Sequence, residues 1–128
     1  MTTAYADASA IVKLIVEEPD SAVLARFIAK FDEVVTSRIG LVETRRAAAR
    51  RGGAGTMVDA VAQVLGVIEL DEAIAATAGH LDPPTLRTLD SIHIASALAL
   101  YHVDVLVTYD DRLASAARSV GLSVTSPS

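Results

Sequence analysis

The stretch from Leu86 to Ala117, LRTLDSIHIASALALYHVDVLVTYDDRLASAA, leaves this chain few ways to fold. From Ser91 to Leu100 nearly every position is apolar, with Ser91, His93 and Ser96 as the only polar members. The spacing predicts a helix buried on most sides rather than an amphipathic surface helix. Val103 to Thr108 follows as an apolar run with three valines and a single acid, Asp104, which suits a parallel strand covered on both faces. Asp110 and Asp111 come directly after it, and Arg112 to Ser119 repeats alanine at helical spacing. In an open parallel sheet the loops leaving the carboxyl ends of strands form the ligand crevice. Asp90, where the apolar helix begins, and Asp110, after the strand, are therefore the acids around which a site is sought.

The remaining chain supplies the same alternation. Thr3 to Ala6 reads as a strand ending at Asp7, and Ser9 to Val16 as a short apolar helix stopped by Glu17, Glu18 and Pro19. Asp20 or Ser21 caps a helix running to Phe31. Val34 to Thr36 is a second strand with Ser37 at its exit, and a helix continues to about Arg51. Gly52, Gly53 and Gly55 make a connector to a helix from Thr56 to Leu65, which Gly66 ends. Val67 to Leu70 is a third strand, Asp71 to about Gly79 a helix, and Leu122 to Thr125 a last short strand. Strands alternating with helices predict an α/β domain with a parallel sheet of four to five strands, one domain over residues 1–128.

Composition narrows the chemistry. The chain has no Cys, which excludes a disulfide framework, thiolate metal sites and a cysteine nucleophile, and is compatible with a reducing cytoplasm. Residues 1–16 lack a basic leader, with Asp7 interrupting the apolar run, and no stretch has the ~18 apolar residues of a membrane span. A formal charge of −5 argues against nonspecific coating of nucleic acid. Yet five of nine Arg (Arg38, Arg45, Arg46, Arg50 and Arg51) fall in one fourteen-residue window. Charge alone makes that window a solvated helix face, while the planar guanidinium also suits phosphate, so it stands as a candidate phosphate contact.

Most familiar motifs can be set aside. The GGAG loop lacks the Lys-Ser/Thr ending of a phosphate loop, no Ser sits in a nucleophile elbow, and the three His fall at no metal-ligand spacing. His93, one turn after Asp90, is read as a packed helix-face histidine. What remains is a set of acids at equivalent places: Asp7 after strand one, Glu43 early in the helix after strand two, Asp90, and Asp110. Each also has a plain structural reading, as a helix-start acid or, for Glu43, as a surface partner of Arg46. Asp7 is hardest to dismiss, because an acid in so apolar a segment costs free energy unless paired or bound to a cation. Several carboxylates together repel without a counter-charge, and hard oxygen ligands suit Mg²⁺ or Mn²⁺ rather than zinc. A phosphotransfer receiver domain is an alternative of similar layering, with Asp71 as its acceptor. Asp7 alone after strand one, and no Lys after the last strand, speak against it.

The segments YADASAIVKL (5–14), SRIGLVETRRA (37–47), LRTLDSIHIASA (86–97) and LVTYDDRLASAA (106–117), in that order over nearly the whole chain, resemble the PIN-domain nucleases, and within them the VapC toxins of VapBC-type toxin–antitoxin pairs. The resemblance implies a PIN-like three-layer α/β/α domain and a metal-dependent endoribonuclease. It implies Mg²⁺ or Mn²⁺ held by Asp7, Glu43, Asp90 and Asp110, with the T-x-D pattern of Thr108 to Asp110 selecting Asp110 over Asp111. Ser9 and Ser37 match hydroxyls that would support the ligands, and Arg45, Arg46, Arg50 and Arg51 would meet RNA. It further implies a VapB-type antitoxin as inhibitor, a homodimer and larger toxin–antitoxin assemblies. A PIN-like module without activity is the other alternative.

Overall fold

The computed structural model describes residues 1–128. Its five strands are β1 (Thr3–Ala6), β2 (Glu33–Ser37), β3 (Gly66–Ile68), β4 (Val105–Val107) and β5 (Val124–Thr125). Its seven α-helices are α1 (Ala8–Ile11, continued by a 3-10 turn over Val12–Leu14), α2 (Ser21–Ile28), α3 (Arg38–Arg50), α4 (Gly55–Val64), α5 (Glu72–His80), α6 (Thr88–Leu98) and α7 (Asp111–Ser119). The sheet runs β3-β2-β1-β4-β5 and every pairing is parallel.

β1 sits in the middle because both of its faces are apolar or small enough to be covered: TAYA is buried at every residue. Alternation sends Tyr5 to one face, where it packs with Val35, Leu106, Ile94 and Ala97 of α6, and Leu113 and Ala117 of α7. Ala4 and Ala6 go to the other face, with Ala10 and Ile11 of α1 and Leu24 of α2. The result is three layers, α/β/α, around two apolar clusters. The β1 amino end is clipped to both sides by carboxylates. Asp32 Oδ2 accepts the Thr2 N–H at 2.8 Å, and Asp104 Oδ2 accepts the Thr3 N–H at 2.7 Å.

α6 is the buried helix expected, and its hydroxyls are absorbed locally. Ser91 Oγ donates to the Thr88 carbonyl and Ser96 Oγ to the Ile92 carbonyl, each at 2.7 Å. Several boundaries differ from those expected. α6 starts at Thr88, so Asp90 lies inside its first turn rather than before it. The first helix gives way to a 3-10 turn after Ile11, and α2 ends at Ile28 rather than Phe31. β4 is three residues long, and the residues flanking it send their side chains to neighbouring segments, Asp104 to the Thr3 N–H and Thr108 to Asp7. β3 begins at Gly66, which pairs with Val35 rather than ending α4, and it stops before the exposed Leu70. The glycine connector after α3 is as read: Gly52 takes φ 76°, which an L side chain resists.

Candidate active site

The sheet changes direction of growth at β1: β2 and β3 are added on one side, β4 and β5 on the other. The crevice of such a fold opens outside the carboxyl ends of the strands at this point. Two hydroxyls close it. Thr108 Oγ1 donates to Asp7 Oδ2 at 2.6 Å and accepts the Asp110 N–H at 3.0 Å. Ser9 Oγ donates to Asp7 Oδ1 at 2.7 Å and accepts the Tyr109 N–H at 2.8 Å. Asp7 also caps α1 by accepting the Ala10 N–H, so its carboxylate is fixed by three donors while 5% exposed. Burial raises its pKa above the usual carboxylate range against the opposing pull of the Thr108 and Ser9 hydroxyls.

Asp110 is the cap of α7: its Oδ1 accepts from the Arg112 and Leu113 N–H groups at 2.9 and 3.3 Å. Its Oδ2 takes Nη2 of Arg87 at 2.8 Å, and Nε of the same guanidinium reaches Asp90 Oδ2 at 2.7 Å. Partial burial raises the Asp110 pKa, but Arg87 and the helix N–H groups outweigh it and hold the carboxyl low. Asp111 is exposed, and the hydrogen bonds run through Asp110. A chain Asp7–Thr108–Asp110–Arg87–Asp90 thus joins three of the four acids.

Glu43 stands apart in its bonding. Its Oε1 meets His93 Nε2 at 2.6 Å, and no hydrogen bond links it to the other acids or to Arg46. His93, only 2% exposed, is therefore more than a packed residue. Ser37 caps α3 through the Gly40 N–H at 2.9 Å and touches none of the four acids by a hydrogen bond; it sets where the Glu43 helix begins. In the arginine window Arg38 pairs with Glu69, Arg45 with Asp59 and Arg51 with Glu18, while Arg46 and Arg50 are exposed and form no ion pair. Helical rise sets Arg50 and Arg51 about 10–12 Å further along α3 than Glu43. Asp71 caps α5 by accepting the Ile74 N–H and follows an edge strand, and both Lys lie elsewhere, Lys13 paired with Glu18 and Asp20. A receiver-type phosphoacceptor site is not built here.

The donor set is hard oxygen throughout, which fits a hard divalent cation. In this structure no three acid or imidazole side chains converge as a ready metal cage. The position between Asp90 and Asp110 nevertheless accommodates a cation, because the Arg87 guanidinium occupies it. Sequence reading missed Arg87, although its i,i+3 spacing to Asp90 is visible in LRTLD. It also missed the Tyr5–His93 contact, which joins residues 88 apart and leaves no local signal.

The PIN domain family matches residues 4–119. The chain is similar to Ribonuclease VapC46 of Mycobacterium tuberculosis (strain ATCC 25618 / H37Rv), 40% identical over 131 residues spanning 100% of both chains. It is similar to Ribonuclease VapC47 of Mycobacterium tuberculosis (strain CDC 1551 / Oshkosh), 35% identical across 96% of each. Among solved structures it resembles Mycobacterium tuberculosis VapC20, a sarcin-ricin loop cleaving toxin, with TM-score 0.74 and 18% identity over 97% of this chain and 99% of that one. It also resembles VapBC2 from Rickettsia felis bound to a DNA fragment from their promoter, with TM-score 0.73 and 16% identity over 99% and 100% of the respective chains. At such identities the two structures speak to the fold alone.

Proposed function

The chain belongs to the PIN-domain family, and from that premise we propose that it is an endoribonuclease of the VapC type. It would be the toxin of a type II toxin–antitoxin pair, hydrolysing RNA phosphodiester bonds and so arresting translation and growth. The observation that carries this is the linked set of Asp7, Asp110 and Asp90 at the β1/β4 crevice, on a chain similar along its full length to proteins named ribonucleases.

We propose Mg²⁺ or Mn²⁺ as the cofactor, held by Asp7, Asp90 and Asp110 with Glu43 completing the set. When bound, such an ion lowers the pKa of a coordinated water and neutralises the scissile phosphate. The chain's own residues do the remaining work. Thr108 and Ser9 hold the Asp7 carboxylate in one orientation, and the first N–H groups of α7 do the same for Asp110. Arg87, half exposed, supplies the counter-charge of Asp90 and Asp110; its planar fork also suits a phosphate. Arg45, Arg46, Arg50 and Arg51 are proposed to meet the RNA backbone further along α3. The Asp59 and Glu18 partners of Arg45 and Arg51 are solvent-exposed or partly so, and such pairs exchange at little cost.

The proposed partner is a VapB-type antitoxin, in keeping with structural neighbours that are toxin–antitoxin complexes. A homodimer, larger toxin–antitoxin assemblies and a cytoplasmic location belong to the same proposal. No helix is long and apolar enough to cross a membrane.

The test is cleavage of a sensitive RNA with Mg²⁺ or Mn²⁺ by the wild type and by Asp7→Asn, Asp90→Asn and Glu43→Gln. Each variant should lose about 100-fold or more in rate while remaining folded. A variant that cleaves like the wild type strikes its residue from the site. A folded wild type that binds neither ion nor cleaves any RNA leaves the inactive PIN-like module as the correct description.

A further inference from the structure

A polar thread crosses the apolar core beneath Glu43. Tyr5, on the central strand and fully buried, places its hydroxyl 2.7 Å from Nδ1 of His93. The two rings meet edge-on, with centroids 5.8 Å apart and planes at 81°. Nε2 on the other side of the imidazole lies 2.6 Å from Glu43 Oε1. A phenol and an imidazole buried among Val35, Ile94 and Leu106 cost stability relative to apolar side chains unless their polar atoms are partnered. Here both ring nitrogens are partnered, and the thread ends on a partly exposed carboxylate. α3 makes room for it: a Cβ on Gly40 would come within 3.2 Å of His93 Cε1 and 2.5 Å of Thr36 Oγ1.

The direction of the thread follows from its ends. A carboxylate only accepts, so Nε2 must carry the hydrogen that Glu43 receives. A neutral imidazole protonated at Nε2 has Nδ1 free as an acceptor, and the Tyr5 O–H is placed to donate to it. We propose that Tyr5 and His93 are positioning residues for Glu43: the carboxylate selects the Nε2–H form of His93, the Tyr5 O–H anchors the ring at Nδ1, and the imidazole holds the Glu43 carboxylate in the orientation its role demands. This rests on Glu43 serving as a metal-site acid. Partners of this kind, one shell behind a ligand, typically change metal affinity about 10–100-fold when removed.

The test has two arms on the full-length protein. In metal-free protein labelled with ¹⁵N-histidine, the ring-nitrogen shifts of His93 above neutral pH should report hydrogen on Nε2 alone, and Tyr5→Phe should move the Nδ1 shift to that of an imidazole nitrogen accepting no hydrogen bond. Hydrogen on Nδ1, on both nitrogens, or an Nδ1 shift indifferent to Tyr5→Phe overturns the proposal. In the second arm Mn²⁺ binding is measured by calorimetry. His93→Gln reaches as far as Nε2 and can still donate to Glu43; His93→Asn cannot. Mn²⁺ should bind about 10-fold more weakly to His93→Asn and nearly normally to His93→Gln. Equal effects of the two substitutions would make His93 a packing residue and overturn the proposal. A wild type that binds no Mn²⁺ would instead remove the metal role of Glu43, and the nitrogen shifts would still decide the thread.

Discussion

Between Asp90 and Asp110 the guanidinium of Arg87 offsets two negative charges, one of them on a nearly buried side chain. It is held by one hydrogen bond to each and stays half in solvent, so it is a counter-ion that is able to leave. Arg87→Gln should lower metal-free stability by about 2 kcal/mol, between the cost of an exposed pair and that of breaking a buried one. The same change removes a competitor for the carboxylates, so Mn²⁺ should raise the melting temperature more in the variant than in the wild type. Thermal melts with and without Mn²⁺ decide this, and an equal shift in both proteins would mean that Arg87 does not compete. At this scale the sequence shows which acids are candidates, because Asp7 interrupts an apolar run and Asp90 opens one. It does not show what holds them: Thr108 and Asp7 are 101 residues apart, and His93 and Glu43 are 50 apart.

Among the elements, β1 depends on carboxylates at its amino end as well as on its apolar faces. The Thr2 N–H holds the Asp32 carboxyl below the usual range, and the Thr3 N–H does the same for Asp104. A depressed pKa means that the stability these groups contribute is present above the unfolded value of about 3.9 and is lost as the pH falls through the folded one. Asp32→Asn with Asp104→Asn should therefore flatten the decline of stability below about pH 4. Urea unfolding from pH 6 downward would measure it; an unchanged slope would assign acid sensitivity to other groups. Apolar patterning together with capping and helix-ending residues was enough to find every strand and helix, and burial on both faces leaves continuous apolar runs in β1 and β4. Their ends were harder to read. β4 is shorter than its apolar run, and α6 is lengthened by a first turn, from Thr88, that brings Asp90 beside Arg87.

For the whole molecule, a free ribonuclease has to be controlled, and the acids at the crevice define what an inhibitor would present. The Arg87 contacts demonstrate that a guanidinium fits between Asp90 and Asp110. A partner that inserts its own Arg or Lys there would compete with divalent metal. The affinity of an antitoxin peptide should then fall as Mg²⁺ rises, and Asp90→Asn should weaken its charged contact without affecting its apolar ones. Calorimetry at several Mg²⁺ concentrations tests this. Affinity independent of Mg²⁺ would indicate a partner that covers the site from a distance. The hydroxyl link between Asp7 and Thr108 has a consequence in time as well as in space. A ribosome adds roughly 5–20 residues each second, so the first acid emerges several seconds before its partner strand exists. Closing so long a loop is also the slow kind of folding event. The linked set of acids at the crevice is thus assembled only once the chain is nearly finished.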